Sequence, residues 1–275
     1  MPPSPLLGRL KEIEARVAAA PGVLLISDFD GTLAPIVRTP EEASLPPSRR
    51  RLLAEVAGLE RASVAVVSGR SLEDIRARVA LEGLTYAGNH GLEISGPGLD
   101  FLEPRAAALG GVITEIGAAL TAALQGVAGA RVEDKRWTLS VHFRNVEPGR
   151  IEEVRRVVQD VLFLREAGAL REAVRIREGK KVLEVVPRIA WDKGAASRLI
   201  REHLGAADAV AIAIGDDATD ETMFRALADG VTIKVGKPDE TSAAFFVAGP
   251  PEVESFLEWL VRAIRAGEGR EGRIG

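Results

Sequence analysis

Two groups of carboxylates each follow a short apolar run. Residues 23–27 lead into Asp28-Phe29-Asp30-Gly31-Thr32, and residues 210–214 into Gly215-Asp216-Asp217-Ala218-Thr219-Asp220-Glu221. Asp-Gly is a common turn pair and would serve as one here. Acidic residues at a helix start favour its dipole, and capping accounts for Asp220 and Glu221. Neither reading explains carboxylates at the tips of two buried strands, which repel each other unless a cation joins them. A hard, oxygen-preferring ion such as Mg2+ is the natural partner, because one or two carboxylates hold it together with substrate phosphate and water. Val67-Ser68-Gly69-Arg70 adds a hydroxyl and backbone N–H groups ahead of a helical pattern, which suits either a phosphate or an ordinary cap. In Trp191-Asp192-Lys193-Gly194, Asp192 suits an N-cap, whereas Lys193 opposes the dipole and points to a nearby anion.

Such residues act together only if one sheet brings several strand ends to the same edge. Runs rich in β-branched residues recur at 23–27, 63–67, 84–87, 210–214 and 231–235. They are apolar at nearly every position, as strands buried on both faces of a parallel sheet must be. Helical spacing fills 46–60, 71–81, 192–204, 219–228 and 250–266, with a first helix at 5–19. The alternation predicts a doubly wound α/β sheet, whose ligands bind beyond the carboxyl ends of the strands. The rhythm changes between 104 and 186, where the order reads helix 105–125, strands 130–134 and 137–145, helix 147–167, strands 173–177 and 181–186. This is an αββαββ insert of residues 104–186 in a core made of 1–103 and 187–275, with hinges expected at Ser95-Gly96-Pro97-Gly98 and at Pro187. The Gly-rich tail 267–275 reads as frayed.

Composition narrows the classes. The chain has 275 residues, 36 basic against 40 acidic, and a formal charge of −4, with no basic block to track nucleic-acid phosphates. It has no cysteine, which excludes disulfides, thiolate metal sites and thiol nucleophiles. No apolar run reaches the roughly 18 residues of a membrane span and no signal-peptide core opens the sequence, so a cytoplasmic protein without membrane or nucleic-acid partners is expected.

Asp28-x-Asp30-Gly31-Thr32, Ser68, Lys193 and Gly215-Asp216-Asp217, in that order, resemble the haloacid dehalogenase superfamily of phosphotransferases. Gly88-Asn89-His90-Gly91, Val141-His142-Phe143-Arg144, Gly179-Lys180 with Leu183-Glu184, and the rest of the acidic stretch to Glu221 resemble its trehalose-6-phosphate phosphatase branch, over roughly residues 20–260. The resemblance implies a core of that fold with the insert as a cap domain. It also implies a small-molecule sugar phosphate as substrate, with Asp28 as nucleophile and Asp30 as acid and base. Mg2+ would be held by Asp28, the carbonyl of Asp30 and Asp216, with Asp217 in support, and Ser68 and Lys193 would hold the phosphoryl group. Gly69, Arg70, Asn89, His90, His142, Arg144, Lys180 and Glu184 would join in substrate binding. In the residues themselves, Ser140, His142 and Arg144 have period-two spacing on one strand, and Lys180 and Glu184 share a parity. An ordinary solvated sheet surface would look the same. Two positions depart from the family pattern: Phe143 stands where a tyrosine is usual and Val186 where a basic residue is usual. Another sugar phosphate as substrate, or a catalytically silent sensor, remains an alternative at this point.

Overall fold

The computed structural model describes residues 2–164 and 172–271. They form two compact units, one of residues 1–101 with 191–275 and the other of residues 102–190.

The first unit is built on a sheet of nine strands. In chain order these are β1 (Ser4–Pro5), β2 (Val23–Ser27), β3 (Ala62–Val67), β4 (Thr85–Gly88), β5 (Glu93–Gly96), β6 (Leu99–Leu102, which runs into the second unit), β11 (Val210–Gly215), β12 (Val231–Val235) and β13 (Phe245–Val247), where β7 to β10 belong to the second unit. The spatial order is β1-β13-β12-β11-β2-β3-β4-β5-β6, parallel from β1 to β4 and antiparallel from β4 to β5. Both faces are covered, which is why the strands read as continuous apolar runs. Val23, Leu25, Val64, Val66, Ile212 and Ile214 pack beneath the helices Leu10–Ala19, Pro47–Ala57, Leu72–Val79 and Pro250–Glu271. Leu24, Ile26, Ala65, Val67, Ala211 and Ala213 face the helices Lys193–His203 and Glu221–Ala226.

The second unit carries an antiparallel sheet in the order β7-β8-β10-β9, from β7 (Arg131–Asp134), β8 (Leu139–His142), β9 (Val174–Gly179) and β10 (Val182–Pro187). Ile113, Ile116 and Leu120 of the helix Gly110–Leu124, with Val154 and Val158 of the helix Ile151–Leu164, cover Leu139, Val141, Leu183 and Val185.

Several expectations need correction. The first helix begins at Leu10, because Ser4 and Pro5 pair with Phe245 and Phe246 and a 3-10 turn Leu6–Gly8 follows. The hinge expected at Ser95-Gly96-Pro97-Gly98 is instead the end of β5, Ser95 and Gly96, and the Pro97-Gly98 turn that leads into β6, strands that the sequence reading lacked. The strand expected at 137–145 is only Leu139–His142, and Arg144 lies in the following turn. Arg136 takes a left-handed φ of 74° before it, and Val146 N–H closes a turn on the Phe143 carbonyl after it. Lys180 likewise sits in the turn joining β9 and β10, so it shares no strand with Glu184. Residues 165–167 of the expected second inserted helix, 147–167, lie outside the described residues, as do residues 272–275 of the tail, whereas 267–271 complete the last helix. Among the described residues, no helix is long and apolar enough to cross a membrane.

Candidate active site

β2, β3 and β11 are adjacent and parallel, so Asp28, Ser68 and Asp216 leave the sheet at one edge. Asp28 is buried immediately after β2, with its backbone N–H bonded to the Ile214 carbonyl of β11. The helix Lys193–His203 begins beside it. Asp192 caps that helix as expected, its Oδ1 accepting from Ala195 N–H at 2.9 Å, and Gly194 N–H donates to Thr222 Oγ1 at 3.1 Å. A side chain at Gly194 would strike the Thr222 carbonyl, so only glycine lets the helix start this close. Lys193, 2% exposed, donates from Nζ to Asp28 Oδ1 at 2.6 Å and to Asp220 Oδ1 at 2.7 Å. It is therefore no solvated lysine.

Asp220 is the residue that sequence reasoning placed wrongly. Its side chain makes no cap hydrogen bond; it is fully buried and accepts from Lys193 and from the Asp217 N–H at 2.9 Å. A β-carbon on Gly215 would collide with its carboxyl group, so that glycine makes room for it. Spacing carried the missed signal: the chain turns back after Asp216-Asp217 and returns the third carboxylate of the stretch, Asp220, beneath the strand tip.

Asp28, Asp216 and Asp220 can each offer a carboxylate oxygen within 4.8 Å of the others. Gly31 approaches so closely, at φ 84°, that any side chain there would strike the Asp216 carboxylate. The electrostatics match an open demand for positive charge. Burial pushes the Asp28 carboxyl well above the usual range; Lys193 opposes this, and Asp220, Asp217 and Asp216 reinforce it. Asp220 is raised by burial and by Asp217, against Lys193. An all-oxygen donor set of this kind suits a hard divalent cation. Asp217 differs. Burial raises its pKa, but Lys193 and hydrogen bonds from Thr219 outweigh this and bring it down to about 2. Its Oδ1 accepts from Thr219 N–H and Thr219 Oγ1, both at 2.7 Å, so it shapes the turn.

Asp30 points elsewhere. Arg70 Nε and Nη2 donate to its two oxygens at 2.7 Å each, while Arg70 also donates to Asp74 Oδ2 at 2.7 Å and to the Pro40 carbonyl at 3.0 Å. The guanidinium is 9% exposed and the Asp30 side chain 44%, so Arg70 clamps a carboxylate that still faces solvent. Four of its five N–H donors are thus engaged by Asp30, Asp74 and the Pro40 carbonyl.

Ser68 and its loop lock to the 88–91 turn. Ser68 N–H bonds the Ala87 carbonyl, His90 N–H the Ser68 carbonyl and Asn89 N–H the Arg70 carbonyl. Asn89 and His90 both take left-handed φ angles, of 50° and 58°, and the His90 ring lies where a Gly69 side chain would be. Backbone strain of this kind persists only where the surroundings over-determine it. Here Asn89 Nδ2 and Leu72 N–H share Glu93 Oε1, at 2.8 and 2.9 Å.

In the second unit, register places Arg131, Glu133, Ser140, His142 and Glu184 on one face. His142 Nε2 lies 2.7 Å from Glu133 Oε2, and Lys135 Nζ 3.6 Å from Glu184 Oε1. Burial raises Glu133, but the bond to His142, with Lys135 and Arg131 nearby, brings it down to about 2. Glu133 and Lys135 were missed, although alternation along 131–134 would have put Glu133 on this face. Arg144 donates to the Lys180 carbonyl at 3.2 Å, joining two turns. Phe143 and Val186, the departures from the family pattern, are both buried, Phe143 within the core of this unit.

A mostly parallel sheet with clustered carboxylates at its strand ends, a buried lysine and a Ser-Gly turn defines the haloacid dehalogenase-like hydrolases. A solved structure of one from Bacteroides thetaiotaomicron shares the fold at 15% identity and TM-score 0.59, over 87% of this chain and 99% of that one. A family model described as trehalose-phosphatase matches residues 26–251, and the chain belongs to that family. It is 38% identical to trehalose 6-phosphate phosphatase RA3 of Zea mays over 91% of this chain and 73% of that protein. A crystal structure of a trehalose-6-phosphate phosphatase related protein matches at 28% identity and TM-score 0.75, over 87% of this chain and 97% of that one.

Proposed function

We propose that this protein is a Mg2+-dependent phosphomonoesterase that hydrolyses trehalose 6-phosphate to trehalose and phosphate through an aspartyl phosphate on Asp28. The observation that carries this reading is Lys193 between Asp28 and Asp220, beside Asp216 and at the strand edge that also bears Ser68.

In the first half-reaction an Asp28 oxygen attacks phosphorus, the ester P–O bond breaks and Asp30 gives its proton to the departing sugar oxygen. In the second, Asp30 takes a proton from water, which attacks phosphorus and releases Asp28. Asp28, Asp216 and Asp220, with the Asp30 carbonyl, would hold Mg2+, which when bound would supply the charge that lets an anionic carboxylate approach an anionic phosphate. Lys193 has three N–H donors, two of them engaged, so a third remains for a phosphoryl oxygen, with the Ser68 hydroxyl as its companion. Arg70 keeps the Asp30 carboxylate in place. Gly69, Asn89 and His90 shape the phosphate loop.

We assign the second unit to reading the sugar. His142, Arg144, Lys180 and Glu184 supply polar groups on or beside one sheet, as a disaccharide requires, and Glu133 and Lys135 orient two of them. Because Phe143 and Val186 are buried, the departures there alter packing, which favours the family's own substrate over another sugar phosphate.

Inorganic phosphate release from trehalose 6-phosphate, sucrose phosphate and glucosylglycerate phosphate, each with and without Mg2+, tests the reading. Trehalose 6-phosphate is expected to give the highest kcat/KM, and chelation of the metal to abolish turnover on all three. A higher kcat/KM on another ester would reassign the substrate. Full activity without a divalent cation would remove the metal.

A further inference from the structure

Lys234 is a charged residue in an internal strand of the parallel sheet. β12 pairs with β11 on one side and β13 on the other, and its other four residues, Val231, Thr232, Ile233 and Val235, are buried. A half-buried ammonium there needs a defined partner to offset its desolvation. Register sets Lys234 beside Gly215, the residue before the acidic turn. Its Nζ donates to the Asp216 carbonyl at 2.7 Å and lies 3.5 Å from that of Asp217. Asp216 is thus held on its main chain by Lys234 and bounded on its carboxylate by the side-chain-free Gly31.

We propose that Lys234 is a positioning residue for the cation site, fixing the Asp216 main chain so that its carboxylate is held for a small ion with strict geometry. The inference rests on Asp28, Asp216 and Asp220 holding Mg2+. Mg2+ demands near-octahedral coordination, whereas Ca2+ accepts longer and less regular bonds. Loosening Asp216 therefore penalises Mg2+ more than Ca2+. A purely electrostatic lysine would do the opposite, since removing its positive charge would strengthen both ions in parallel.

Calorimetric titration of Mg2+ and of Ca2+ into the substrate-free protein separates these cases without relying on turnover. For Lys234→Met, Mg2+ affinity is expected to fall about tenfold, the lower end for groups that orient metal ligands, and Ca2+ affinity by less than about threefold. Lys234→Arg, which keeps a donor for the same carbonyls, should bind Mg2+ within about threefold of the parent. Equal or tighter binding of both ions by Lys234→Met would overturn the proposal, as would parallel losses for the two ions. A parent that takes up neither ion would overturn the metal reading itself, and this inference with it.

Discussion

Asp28→Asn is expected to fold normally and to release phosphate at least about 10⁴-fold more slowly, a loss of about 5 kcal/mol in transition-state stabilisation. A carboxamide is a poor nucleophile, and it is also a weaker ligand for a hard cation. The same substitution has an expected sign on stability. Burial and three neighbouring carboxylates raise the Asp28 pKa despite Lys193. An acid whose folded pKa lies above its unfolded value binds more protons when folded, so it loses stability as pH rises from the unfolded value toward the folded one. Asparagine does not titrate. Without divalent cation, Asp28→Asn should therefore melt at or above the parent temperature at neutral pH, with any excess shrinking as pH falls toward 3.8, the ordinary value for this group. A phosphate-release rate within about tenfold of the parent would remove Asp28 from the nucleophile role.

Lys193→Met should produce the largest loss of stability. The lysine is buried against two carboxylates, which raise its pKa well above 10.5 although burial alone would lower it. It stays charged until pH rises past that raised value, so its contribution is intact at neutral pH. Methionine leaves Asp28 and Asp220 buried without their shared cation, and breaking one side of a buried ion pair costs about 3–5 kcal/mol. Because both carboxyl groups have raised pKa values, the deficit should shrink in acid as they protonate. Adding Asp220→Asn removes one of the stranded charges and should recover a large part of the loss, as coupled neighbours do, without restoring activity. Urea unfolding of both variants at pH 5 and pH 8 measures this. A cost below about 1 kcal/mol at pH 8, or no recovery in the double variant, would show that the pair is not coupled through Lys193.

The strands that carry Asp28, Ser68 and Asp216 were legible because burial on both faces writes an apolar run, and the ends of such runs locate the chemistry. The helix start at Lys193 was legible through Asp192, a cap whose geometry depends only on near neighbours. What stayed hidden depends on distant partners. Asp220 follows the grammar of a helix cap, and only the returning chain shows that it faces Lys193. Arg70 sits in a phosphate-loop sequence, yet its fork fits Asp30, 40 positions away in the chain. β1 and β13 were missed for another reason: strands of two and three residues are too short for any periodicity to register. In the second unit alternation put His142 on the polar side of its strand, but it extended the strand past His142 to Asn145, because a turn that begins at an aromatic residue carries no Gly or Pro to mark it.

The most direct measurement of the central claim is to trap the covalent intermediate in Asp30→Asn with nitrophenyl phosphate. That leaving group needs no proton, so Asp28 should still be phosphorylated, whereas the water step loses its base, a step typically worth about 10²- to 10⁴-fold. If Asp28 is the nucleophile, a burst of nitrophenol near one equivalent per active site is expected, followed by slow turnover. Acid quenching and borohydride reduction should then convert residue 28 alone to homoserine, as read by peptide mass. No burst, or reduction at a different residue, would contradict that role for Asp28.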